Sequence, residues 1–145
     1  MNKLEKFNYF RWGILKTSKI IFFIALIILS SCSKHKILIT AHRGSSGEAP
    51  ENTMSAYLLA IDMGSHYAEL DVQETSDDVL ILYHDTTYNR TTGVSANVWD
   101  LSYLSIKEFD AGSWKNESYR GEPIPLFTDI IDSVNGRMLL NVEIK

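Results

Sequence analysis

The chain has 145 residues, 14 basic and 18 acidic, with a formal charge of −4, 45% hydrophobic and 22% charged residues. That composition excludes a disordered or collagen-like chain, and a single cysteine excludes an internal disulfide and a cysteine-based zinc cluster. Residues 1–31 hold five basic residues and one acid; the remainder holds 9 basic and 17 acidic residues, a balance that argues against a nucleic-acid partner and for a site collecting a divalent cation.

The first element in chain order is Ile20 to Leu29, ten consecutive apolar residues after a basic stretch. A bilayer-spanning helix needs roughly 20. A basic region, a short apolar run and small residues after it predict a secretory signal over residues 1–31. Leu29-Ser30-Ser31-Cys32 resembles the bacterial lipobox, whose cysteine becomes the lipidated first residue. The alternative reading of the run is an uncleaved membrane anchor. Lipid on Cys32 would hold the protein to a membrane surface. Ser33 in place of Asp resembles outer-membrane sorting in a two-membrane bacterium, so the expected location is the bacterial cell envelope. Residues 32–36 form a short tether.

Ile37 to Ala41 predicts a buried strand ending at His42-Arg43-Gly44. A helix follows Pro50-Glu51-Asn52-Thr53, with Thr53 as its cap, Tyr57, Leu58 and Ile61 at helical spacing, and Gly64 at its end. Tyr67 to Gln73 alternates as a strand. Ser76-Asp77-Asp78 turns into a third apolar run, Val79 to Tyr83, ending at His84-Asp85. Residues 89–121 are polar, aromatic and irregular, with a short helix after Ser102. Pro125 opens a helical stretch through Ile130, Ile131 and Val134, and Gly136 ends it. Met138 to Lys145 is the last strand. The alternation of strands and helices predicts an α/β fold with a parallel sheet. The polar motifs fall at strand C-terminal ends, as in the active sites of α/β barrels.

Glu69 and Asp71 lie two apart on a strand and therefore share a face, with Ala68, Leu70 and Val72 on the other. Adjacent buried carboxylates repel. A divalent cation removes the conflict, and oxygen ligands suit Mg²⁺ or Ca²⁺. The last strand repeats the arrangement with Asn141, Glu143 and Lys145, so Glu143 is a candidate third ligand. One such pair also fits the solvated face of an amphipathic strand; two pairs together with two strand-end histidines point to a site. His42 and His84 suit a general acid and general base, in either order. Arg43 suits a phosphate, and Lys145 adds positive charge beside it. His35 and His66 are given no role.

Taken in order, HRG at 42–44, PENT at 50–53, ELDV at 69–72, HD at 84–85, RTTG at 90–93 and EIK at 143–145 resemble the glycerophosphodiester phosphodiesterase family. The resemblance covers residues 37–145. It implies a (β/α)8 TIM-type barrel with a small insertion, here about residues 89–122 with Trp99, Trp114 and Tyr119. It implies metal-dependent hydrolysis of glycerophosphodiesters to an alcohol and sn-glycerol 3-phosphate. Glu69, Asp71 and Glu143 would bind Ca²⁺ or Mg²⁺, with Glu51 in support. His42 and His84 would be the acid–base pair, and Arg43 and Lys145 would hold the phosphate of a small-molecule substrate. The glycerol 2-hydroxyl would be the internal nucleophile.

A complete barrel needs about 250 residues, so this chain is expected to hold only the first strands and helices of a partial domain. Two other outcomes are open at this stage. One is an inactive truncated or binding-only lipoprotein. The other is activity of the lysophospholipase D or phosphoinositide phospholipase kind on a related barrel.

Overall fold

The structure is a computed structural model that describes residues 37–145. The signal, the tether and Cys32 lie outside the described residues. Four strands and three short α-helices follow in order: β1 (Thr40–Ala41), α1 (Met54–Asp62), β2 (Tyr67–Glu74), β3 (Leu80–Leu82), α2 (Asn89–Thr92), α3 (Tyr103–Ile106); a fourth helix, α4 (Phe127–Val134), leads into β4 (Leu139–Ile144).

The sheet is organised around β2. β4 runs parallel to it from Tyr67 opposite Leu139 to Val72 opposite Ile144. β1 lies parallel on the other side, with Thr40 opposite Tyr67. β3 follows β1 along that same side, with Val72 opposite Leu82. The β1–α1–β2 crossover is the parallel βαβ unit that the alternation predicts. The β3 pairing departs from an all-parallel sheet: it is antiparallel to β2. The connection is too short for a crossover and closes as a hairpin, with Asp78 in the left-handed region at φ 62° and Thr75 bonding across the turn to Val79.

β2 is buried on both faces. Ala68, Leu70 and Val72 pack against Tyr57 and Ala60 of α1 and against Ile130 and Val134 of α4. Glu69 and Asp71 point the other way and are also buried, Asp71 to 1% exposure. An amphipathic strand facing water is therefore excluded at this position. Thr53 caps α1, its hydroxyl accepting from Ala56 N. α4 starts at Phe127 and not at Pro125, and Asn135 at φ 42° ends it, one residue before Gly136.

Two strands are less covered than their apolar composition predicts. Only Thr40 and Ala41 of the first run form a strand, and Ile37, Leu38 and Ile39 are exposed. On β4, Leu140 packs on the core, while Val142 and Ile144 are exposed.

The stretch between β3 and α4 builds a second core. Tyr83, Tyr88, Val98, Ile106, Ala111 and Ile124 pack on Ile81 of β3. Tyr88 sits edge-on to Phe109, with ring centroids 5.4 Å apart. The short helix expected after Ser102 is α3. The carboxylate face of β2 is turned away from the helices.

Candidate active site

The site begins with strand geometry. Asp71 and Glu143 are opposite each other in the β2–β4 register, and Glu69 is two residues earlier on the same face. One ligand oxygen from each of Glu69, Asp71 and Glu143 lies within 4.8 Å of the others. The three candidate ligands therefore converge: spacing puts Glu69 and Asp71 on one face, and the β2–β4 register brings Glu143 to them. Glu69 and Asp71 are buried, and Glu143 is exposed.

Cations surround this cluster. Lys145 Nζ is 3.0 Å from Asp71 Oδ1 and pairs with Glu143. These hydrogen bonds raise the Lys145 pKa, so it stays charged. Arg43 Nε faces Asp71 Oδ2 at 3.3 Å, and its Nη1 donates to Glu51 Oε1 at 3.0 Å. Its backbone N–H donates to Glu69 Oε2 at 2.9 Å. His42 Nε2 is 3.8 Å from the same Glu69 oxygen, with its side chain largely exposed.

The loop after β1 places these groups through unusual backbone. Arg43 and Asn52 both adopt φ 55°, and Gly44 follows Arg43 at φ 76°. A Cβ on Gly44 would lie 2.7 Å from Ala56 Cβ, so glycine is required both by conformation and by space. Asn52 N–H donates to Arg43 O at 3.0 Å, tying the HRG and PENT segments together. Left-handed non-glycine residues cluster at sites where surrounding contacts over-determine them.

Asn52 was visible in the sequence only as part of a motif. In the structure its Nδ2 donates to Asp71 Oδ2 at 2.8 Å, and Tyr57 O–H donates to its Oδ1 at 2.8 Å. Burial, and then the carboxylates of Glu69 and Asp71, push the Tyr57 pKa upward, so it remains a donor. Asp71 Oδ1 and Arg43 Nε are both buried; the first is ion-paired with Lys145 Nζ at 3.0 Å and the second with Asp71 Oδ2 at 3.3 Å, neither in a well-aligned hydrogen bond. A buried carboxylate within reach of two further carboxylates fits a hard divalent cation.

Beyond β3, His84 Nδ1 lies 2.7 Å from Asp85 Oδ1. Gln73 of β2 fixes this strand end by donating to the carbonyls of Tyr83 and Asp85 at 2.7 and 2.8 Å. Arg90 bridges Asp85 and Glu51. Its hydrogen bond holds Asp85 to a pKa of about 2, against partial burial and with help from His84. Burial alone would raise the Glu51 pKa, but Arg90 and Arg43 outweigh it and hold that carboxyl below its usual range. Glu51, Asn52, His84 and Arg90 border one small cavity. Glu51 is thus joined to the arginines and not to the three-carboxylate cluster. His66, given no role, accepts from Ile39 N at 3.3 Å.

Fold and site define an α/β-barrel protein with an acidic cluster on its strands that could hold a cation and histidines at strand ends. The sequence pattern of the Glycerophosphoryl diester phosphodiesterase family matches residues 42–145, and the chain belongs to that family. It is 40% identical over 111 residues to a glycerophosphodiester phosphodiesterase of Caldanaerobacter subterraneus, a match covering 76% of this chain and 46% of that protein. It is 37% identical over 121 residues to a Bacillus subtilis glycerophosphodiester phosphodiesterase, covering 78% and 41%. Among solved structures, the Agrobacterium tumefaciens glycerophosphodiester phosphodiesterase superposes with a TM-score of 0.73 at 36% identity, covering 75% of this chain and 47% of that one. An Oleispira antarctica phosphodiesterase in complex with the product sn-glycerol-3-phosphate superposes with a TM-score of 0.72 at 37% identity, covering 75% and 44%. The chain spans less than half the length of these relatives.

Proposed function

We propose that these residues form part of the active site of an enzyme that hydrolyses glycerophosphodiesters to an alcohol and sn-glycerol 3-phosphate. The observation that carries this reading is the convergence of Glu69, Asp71 and Glu143, with Arg43 and Lys145 paired to the buried Asp71 carboxylate. The names of the relatives, and the product held by one of them, support the substrate class.

Glu69, Asp71 and Glu143 would hold a divalent cation, Ca²⁺ or Mg²⁺. When bound, the cation neutralises the carboxylates and stabilises negative charge on a phosphoryl oxygen. Arg43 and Lys145 add positive charge on either side of Asp71, where a phosphodiester anion would dock. One histidine takes the proton of the glycerol 2-hydroxyl as its oxygen attacks phosphorus. The other gives a proton to the departing alcohol oxygen as its P–O bond breaks. Nucleophile and phosphorus belong to one molecule, which removes much of the entropic cost. Water then opens the cyclic phosphate, with the two histidines in reversed roles.

The test is release of choline from glycerophosphocholine by the full protein, with and without a chelator. Activity should vanish with chelator and return with Ca²⁺ or Mg²⁺. His42→Ala and His84→Ala should each lower kcat by about 10²–10⁴-fold while metal binding persists. Wild-type turnover in both variants would overturn the acid–base assignment. We further infer that Cys32 carries lipid and anchors the protein to the bacterial envelope. Incorporation of labelled palmitate should occur in the wild type and stop in Cys32→Ala.

A further inference from the structure

The RTTG segment takes no part in the chemistry above, yet its arginine is the best-connected side chain at the site. Arg90 opens α2, and its guanidinium forks onto two carboxylates at once. Nε and Nη2 donate to the two oxygens of Asp85 at 2.6 and 3.1 Å. Nη1 and Nη2 donate to the two oxygens of Glu51 at 3.0 and 2.6 Å. Each carboxylate passes the connection onward. Asp85 Oδ1 meets His84 Nδ1 at 2.7 Å, and Glu51 Oε1 also receives Arg43 Nη1 at 3.0 Å. Behind the guanidinium stands Trp114, its ring centroid 5.6 Å from Arg90 Cζ, with the indole N–H anchored on Ala111 O at 2.8 Å.

The consequence falls on one ring. An ionised carboxylate accepts hydrogen bonds and donates none. Arg90 holds both oxygens of the Asp85 carboxylate in place, with Oδ1 facing His84 Nδ1, so the shared proton sits on Nδ1. The bond made by one imidazole nitrogen decides what the other carries. Nε2 is thereby the nitrogen left to exchange a proton with substrate.

We propose that Arg90 is a positioning residue for proton transfer, acting through Asp85 on the tautomer of His84 and through Glu51 on the placement of Arg43. The proposal rests on the reading of His84 as a proton-transfer group. A lysine cannot replace it, because a point charge does not fork onto two carboxylates in one plane. An arginine needed only for stability would leave the histidine ring pattern unchanged when removed.

The experiment is two-bond ¹H–¹⁵N spectroscopy of the chain with ¹⁵N-labelled histidine, in wild type, Arg90→Gln and Arg90→Lys, with His84→Ala for assignment. Kinetics on glycerophosphocholine run in parallel. The wild type should show the His84 proton on Nδ1. Both Arg90 variants should show a mixture or the opposite tautomer, with kcat falling about 10–100-fold and KM changing less. An unchanged His84 pattern in Arg90→Gln, or the wild-type pattern restored in Arg90→Lys, would overturn the proposal. If Arg90→Gln loses its near-ultraviolet circular dichroism, the milder Arg90→Lys decides. If wild type turns over no phosphodiester but the Arg90 variants shift the tautomer, the positioning stands and the hydrolytic reading falls.

Discussion

Glu69, Asp71 and Glu143 stand on β2 and β4, whereas His42, Arg43, Glu51, Asn52, His84 and Arg90 stand on the loops after β1 and β3 and on the first turn of α2. The first group is placed by backbone register: Asp71 faces Glu143 because the strands pair that way. The second is placed by side chains holding one another, from His84 through Asp85, Arg90 and Glu51 to Arg43. Register is shared by a whole sheet and resists a single substitution. A relay of side chains concentrates its dependence on each member.

The largest effect expected belongs to the strand-borne group. Ca²⁺ or Mg²⁺ at 100 times its Kd should stabilise the fold by about 2.7 kcal/mol. Asp71→Asn should remove that stabilisation, as read by calorimetric melting with and without metal; an equal rise in Tm for the variant would show that the carboxylates do not form the site. Next comes Asn52→Ala, which takes a hydrogen bond from Asp71 and an acceptor from Tyr57. Metal affinity by titration calorimetry should fall about 10–100-fold. Gly44→Ala should cost about 1–3 kcal/mol of stability in urea, the scale of one strained backbone residue. Metal affinity should survive it, because no carboxylate ligand is on that loop. An affinity loss as great as that of Asp71→Asn would mean that the two groups are one unit.

The smallest effect is with acid. Asp85 titrates at about 2 when folded against an ordinary 3.8. A lowered carboxylate pKa gives stability that is complete above the ordinary value and lost as pH falls through the folded one. The stability from the Asp85–Arg90 contact should therefore be complete at pH 5 and be lost between about 4 and about 2, while the contact itself breaks only around pH 2. The Arg90 Hε resonance would report the contact; a midpoint near the ordinary 3.8 would contradict the lowered value.

The strand-borne group was legible because period two and period 3.6 are local properties of the chain. Glu69-x-Asp71 and Glu143 could be put on shared faces from spacing alone, and Thr53 as a cap from its place before an apolar repeat. The relay was not legible. Nothing in local spacing says that Arg90 reaches Glu51, 39 residues earlier, or that Trp114 backs it. Arg43 also takes a left-handed conformation that its side chain does not favour, so its approach to Asp71 is a tertiary outcome. The apolar runs misled in a different way. Ile37 to Ile39 and Val142 carry strand composition, but burial depends on a covering neighbour. The antiparallel turn into β3 was set by the short Thr75–Val79 connection, which the parallel expectation passed over.

The carboxylate of Glu122 reaches back to the beginning of α1, accepting from Ser55 N at 3.0 Å and from Ser55 O–H at 2.8 Å. Negative charge is favoured at a helix start, so this contact stabilises the helix whose first turn adjoins the HRG loop. The partners are 67 residues apart. During synthesis the ribosome releases the first of them well before the second exists. The loop carrying His42 and Arg43 therefore waits, with its helix incompletely pinned, until Glu122 has emerged and docked. Closing so long a loop comes late in the order of folding events, and the HRG loop acquires its final shape only with it.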